Sequence, residues 1–82
     1  MRRRWAFLFQ YLPIEQERYS PYIGRYRTFG LRVLRERRGR TEELMLLPDV
    51  STDFPFVLRL AHILTKKQLD PVHLLDVIED AF

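Results

Sequence analysis

The chain has 82 residues, 46% of them hydrophobic, including six Phe, four Tyr and one Trp. That length fits one domain, residues 1–82, with a core that removes only about 60–65% of the unfolded surface from water, and the absence of cysteine excludes disulfides, thiolate metal sites and cysteine nucleophiles. The net charge of +3 conceals a polarity, because residues 1–40 carry 11 arginines against three glutamates while residues 41–82 carry three bases against eight acids.

The opening Met1-Arg-Arg-Arg-Trp-Ala-Phe-Leu-Phe has the basic and apolar regions of a signal peptide. Gln10, Pro13 and Glu15 cut that run short and no small-residue cleavage site follows, so the expectation is a strand and a cytoplasmic protein. No stretch approaches the ~20 apolar residues that cross a bilayer, which excludes a helical span and argues against a membrane partner. Residues 5–12 alternate with Trp5, Phe7, Phe9 and Tyr11 on one side and Ala6, Leu8, Gln10 and Leu12 on the other, a strand pattern. Residues 13–24 mix charge, Ser20-Pro21 and Gly24, and predict a loop of about a dozen residues.

Alternation resumes over residues 25–36, where Phe29, Leu31 and Val33 oppose Thr28, Gly30 and Arg32, and predicts a long second strand. Arg37-Arg38-Gly39-Arg40-Thr41 supplies a glycine-containing hairpin turn, and residues 42–47 form the returning strand. Residues 48–53 break the pattern. Ser51, Thr52 and Asp53 are N-cap candidates ahead of Pro55, which a helix tolerates only in its first turn, and that helix runs to about Lys67. Phe54, Val57, Leu60, Ala61 and Leu64 share one stripe, and Pro55, Arg59, His62 and Lys66 the opposite one. Asp70-Pro71 repeats the signal and starts a second helix with Leu74, Leu75, Ile78 and Phe82 on one face. Three strands followed by two helices predict an α+β fold, a three-stranded antiparallel β-meander with an αα-hairpin packed on one face.

Three segments together resemble a family of small uncharacterised Firmicutes proteins, a domain of unknown function: Tyr26-Arg-Thr-Phe-Gly30, Asp49-Val-Ser-Thr-Asp53, and Leu69-Asp-Pro-Val-His-Leu-Leu-Asp-Val-Ile-Glu-Asp80. The resemblance spans most of residues 25–82, and residues 69–80 carry it most specifically. It implies a bacterial cytosolic setting and brings no activity, cofactor or site residue with it.

Chemistry-bearing constellations are sparse. His73, Asp76 and Asp80 fall on one face of the second helix, as a carboxylate-rich metal site would want, but they also form the polar face that Leu74, Leu75 and Ile78 require opposite them. His62 lacks an orienting partner and a pocket. Gly24, Gly30 and Gly39 are isolated, so no phosphate loop exists, and neither Ser20 nor Ser51 sits in a nucleophile elbow. The expectation is a chain that is no enzyme, with no metal, no cofactor and no small-molecule substrate.

Twelve of the fourteen bases are arginine, a usage that suits phosphate or carboxylate forks and equally follows from genome composition. Arg35, Arg37, Arg38 and Arg40 at the hairpin turn are candidates for nucleic-acid phosphates, with Tyr22, Tyr26 or Phe29 to stack bases. The competing reading is a charged hairpin tip that deters edge pairing. If the helices cover one sheet face, the other keeps Leu8, Leu12 and Leu34, an apolar patch that fits a protein partner or a homodimer unless residues 13–24 fold back with Ile14, Tyr19, Tyr22 and Ile23 to cover it. The sequence favours a protein-interaction module, with a small nucleic-acid-binding protein as the alternative.

Overall fold

The computed structural model describes residues 7–81. Three antiparallel strands, β1 (Leu8–Ser20), β2 (Gly24–Arg37) and β3 (Arg40–Ser51), form a sheet in the order β1-β2-β3. Two helices follow, α1 (Phe54–Lys66) and α2 (Leu74–Ala81), the second entered through a 3-10 turn at Pro71–His73. The result is an α+β layout. The expected strand positions of Trp5 and Ala6, the arginines at 2–4 and the helical position of Phe82 lie outside the described residues.

Residues 13–24 are not a loop. β1 continues through them to Ser20, in register from Leu8↔Glu36 to Ser20↔Gly24, and only residues 21–23 turn. Pro13 is accommodated because β1 is an edge strand. The N–H groups of Phe9 and Tyr11 point away from β2, toward side chains of the Gln68 turn and α1. Two residues further on, the proline nitrogen faces the same way, where the ladder needs no donor. The charges that made this segment look like a loop pair across the ribbon instead, Arg27 with Glu15 at 3.3 Å and Arg25 with Glu17 at 3.7 Å.

β3 also outruns its expected end at Leu47 and passes through Pro48 to Ser51, again on an edge. The register shifts there, since Leu31 pairs with Leu47 but Phe29 with Ser51, so two extra residues bulge out of β3. The bulge folds over Gly30, where a Cβ would lie 2.3 Å from the Leu47 carbonyl oxygen. Only glycine leaves room for that crossing. Between β2 and β3, Arg38 and Gly39 both have positive φ, 52° and 81°, the conformation of a two-residue I′ hairpin.

Tyr11, Leu31 and Val33, all odd-numbered and on one sheet face, cluster with Val57, Ala61, Leu64 and Leu74 in the buried core. Each fully buried leucine or valine contributes about 1.5–3 kcal/mol of transfer free energy. The helical stripe behaves as its spacing predicts at Val57, Ala61 and Leu64, and Phe54 sets its ring 5.0 Å from Phe29 while staying partly exposed. In α2 the inward face is Leu74 with Val77 and Ile78, whereas Leu75 is exposed. The 3-10 turn winds more tightly than an α-helix, so the α-helical frame starts only at Leu74, and the residues three and four further on lie beside it.

Helix ends are closed by side chains the sequence supplies. Asp53 accepts from the Phe56 N–H and Asp70 from the Val72 N–H. At the far end of α1, Gln68 takes positive φ (53°), its N–H donates to Thr65 and the Leu69 N–H donates to Leu64, a Schellman arrangement with glutamine where glycine is usual.

Candidate interaction surfaces

Glutamine at that strained position has a second task. Its Oε1 accepts from the Phe9 N–H at 2.8 Å and its Nε2 donates to the Phe9 carbonyl at 2.8 Å, so the side-chain amide pairs with β1 as a neighbouring strand would. Thr65 does the same two residues along, accepting from the Tyr11 N–H at 2.8 Å and donating to its carbonyl at 3.3 Å. With Pro13 next in the row, the first half of the β1 edge offers no free N–H for strand addition. Tyr11 is locked from its other end, where its hydroxyl donates to the Leu69 carbonyl at 2.7 Å. Burial, reinforced by the negative charge of Asp70, raises its pKa from 10.0 to about 12.

The opposite sheet face is built from even-numbered residues of β1 and β2. Register puts Leu8 beside Glu36, Gln10 beside Leu34, Leu12 beside Arg32, and Arg32 in turn beside Leu46 of β3. Leu8, Leu12 and Leu34 therefore share one face, and Leu46 joins them. Leu8 is 55% and Leu46 47% exposed, while Leu12 and Leu34 are half-buried. None of the four leucines belongs to the buried core cluster or to the side chains packed against it, and at the β1 edge Gln10 and Leu12 share a concavity with Leu58, Ala61, His62 and Thr65 of α1. Residues 13–24 do not fold back over this face: Tyr19, Tyr22 and Ile23 stand exposed at the far hairpin end, Tyr22 at 93%. The sequence does not single out Leu46, because residues 44–47 are a continuous apolar run without alternation and the register shift of β3 beside them resets which parity faces which side.

At the other end of this face, the β3 bulge is tied down. Thr28, fully buried, donates its hydroxyl to Asp49 at 2.7 Å, and the Asp49 N–H donates to Gln16 at 3.0 Å. Arg18 approaches the same carboxylate at 3.7 Å. Asp49 sits at φ 56°, a conformation in which aspartate is better tolerated than most residues. Two of the three segments that carried the family resemblance, residues 26–30 and 49–53, thus meet in space at this joint, where the Thr28 hydroxyl lies within reach of Asp49 and of the Ser51 carbonyl.

The arginines divide into two groups. Arg18, Arg25, Arg27, Arg32 and Arg35 each pair with a carboxylate, Arg32 with Glu43 at 3.1 Å and Arg35 with Glu42 through two nitrogens. Three of these pairs join β1 or β2 to β3 and so an arginine of the basic half to an acid of the acidic half. Arg37, Arg38 and Arg40 have no ion pair among the described residues and line a concavity of 390 Å³ by themselves. Tyr22 lies at the opposite end of β2 from them and Phe29 packs on Phe54, so these rings are not gathered beside the turn. Arg35 is also held over the Phe7 ring, 5.7 Å from its centroid.

His62 lies on the exposed side of α1 in a shallow groove with Leu58, Arg59 and Ile63, and His73 is exposed at the end of the 3-10 turn. Among the described residues no three His, Asp or Glu side chains are placed to hold a metal ion. Asp76 and Asp80 lie exposed on α2.

The chain belongs to DUF6514, a family of unknown function, whose family model matches residues 4–82. No curated protein and no solved structure matches the chain. No helix among the described residues is long and apolar enough to cross a membrane.

Proposed function

We propose that this chain is a non-catalytic protein-interaction module, with the αα-hairpin packed on the odd-numbered face of its sheet and the even-numbered face docking a second copy of itself. The observation that carries the reading is the row of Leu8, Leu12, Leu34 and Leu46 on one face with Leu8 and Leu46 about half exposed. A second copy fits because the face is complementary to itself under a two-fold axis. Centred near Leu12 and Ile14, such an axis sets the strands of the two copies antiparallel and brings Glu36 of one toward Arg18 of the other. Glu36 has no ion pair among the described residues, and Arg18 meets Asp49 through one distant nitrogen, which leaves donors to spare. The family resemblance supports a cytoplasmic setting in a Firmicutes bacterium.

Light scattering on the chain across a concentration series tests this. The wild type dimerises, and a variant with Leu8→Glu and Leu46→Glu stays monomeric with unchanged circular dichroism, because both side chains already reach water. A wild type that is monomeric throughout, or a variant that dimerises as well as wild type, defeats the proposal.

A further inference from the structure

The β2–β3 turn presents a cost that the fold does not need. Arg37 and Arg40 are direct cross-strand partners at the last pair before the turn, and like charges set opposite each other destabilise a ribbon. Arg38 and Gly39 complete the turn between them, so three guanidinium groups converge on one end of the sheet. The carboxylate that could relieve them from the same face, Glu42, is already engaged by Arg35, and Glu36 lies on the opposite face. Elsewhere in the sheet the chain pairs its arginines with acids, five times over. At this turn it does not.

From this contrast we infer that the Arg37-Arg38-Gly39-Arg40 turn is an anion site that takes phosphates of a nucleic-acid backbone. Guanidinium forks match phosphate oxygens, and a bound phosphate relieves the repulsion between Arg37 and Arg40. The concavity opens to solvent at the tip of a two-stranded ribbon, a shape that can follow a polymer backbone or enter a groove. Residues 35–43 contain no apolar side chain, so the tip has nothing to insert into a lipid layer. Stacking rings are absent from the turn itself, and the binding is therefore independent of base sequence.

Fluorescence anisotropy with a labelled mixed-sequence RNA strand, and in parallel a DNA duplex, tests this between about 20 and 200 mM salt. Three neutralised phosphates predict a slope of log Kobs on log salt of about −2 for the single strand and nearly −3 for the duplex. A variant with Arg37→Gln, Arg38→Gln and Arg40→Gln loses at least about tenfold in affinity at the lowest salt and most of the slope. A second variant, Arg25→Gln with Arg27→Gln and Arg59→Gln, has the same net charge and keeps both. The inference is overturned if wild type shows no salt-dependent binding, if the two variants lose affinity alike, or if the turn variant binds as wild type does. It is overturned equally if the turn arginines hold anionic phospholipid vesicles, or the chain's own second copy, more strongly than either nucleic acid.

Discussion

The two faces of the sheet are made by alternate residues of the same strands, and one residue of register separates a sealed surface from an open one. On the odd face, Tyr11, Leu31 and Val33 are buried in one cluster with Val57, Ala61, Leu64 and Leu74. On the even face, Leu8 and Leu46 meet water, and the two positions fully covered, Thr28 and Gly30, are covered by the chain's own β3 bulge. The difference teaches where the stability resides and where the surplus lies. Apolar side chains on the first face hold the fold, and those of Leu8 and Leu46 on the second remain about half exposed.

Substitution should separate the faces most sharply. Leu31→Ala opens a cavity in the core and is expected to cost about 2–5 kcal/mol, whereas Leu46→Ala, measured on the monomer, stays within about 0.5 kcal/mol. Denaturant midpoints of the two variants read the contrast directly, and equal losses would break it. Gly30 sharpens the picture at the one place where the even face is covered. Gly30→Ala drives a methyl group into the Leu47 carbonyl and should cost at least about 1–3 kcal/mol, as overpacking does. Loss of hydrogen-exchange protection confined to residues 47–51 would identify the bulge as the part displaced.

The smallest effect concerns the pH dependence of the sealed face. Tyr11 has a folded pKa of about 12 against 10.0 for the free side chain. Below pH 10 both states keep the proton and the group adds no pH dependence. Between 10 and 12 the unfolded chain gives up its proton while the folded one holds it, so stability falls with rising pH, by at most about 1.4 kcal/mol per unit. Urea titrations of wild type and Tyr11→Phe check this: below pH 10 the two curves should run parallel, offset by the lost bond to the Leu69 carbonyl, about 0.5–1.5 kcal/mol, and above pH 10 the wild type should fall faster.

Much of the fold was legible in the sequence. Alternation identified β2, Gly39 in its basic context identified the β2–β3 hairpin, and the aspartate-then-proline pairs at 53–55 and 70–71 identified both helix starts. The extensions of β1 and β3 were not legible, because Pro13 and Pro48 break a strand only when their nitrogens face the ladder, and which edge a strand occupies is settled by the whole sheet. That Leu8, Leu12 and Leu34 share a face was readable, since parity alone places them together, whereas the half-burial of Leu12 and Leu34 was not. The joint of Thr28 with Asp49 and the edge cover by Thr65 and Gln68 join residues 21 to 59 positions apart, and no local spacing signals them.

The most direct test of the even face is an isotope-filtered NOE experiment on a dimer assembled from labelled and unlabelled chains. The account predicts intermolecular contacts to the methyl groups of Leu8, Leu12, Leu34 and Leu46, and none to those of Leu31 and Val33. Intermolecular contacts confined to the hairpin end with Tyr22 and Ile23, or to the exposed side of α1 at Leu58 and Ile63, would contradict it.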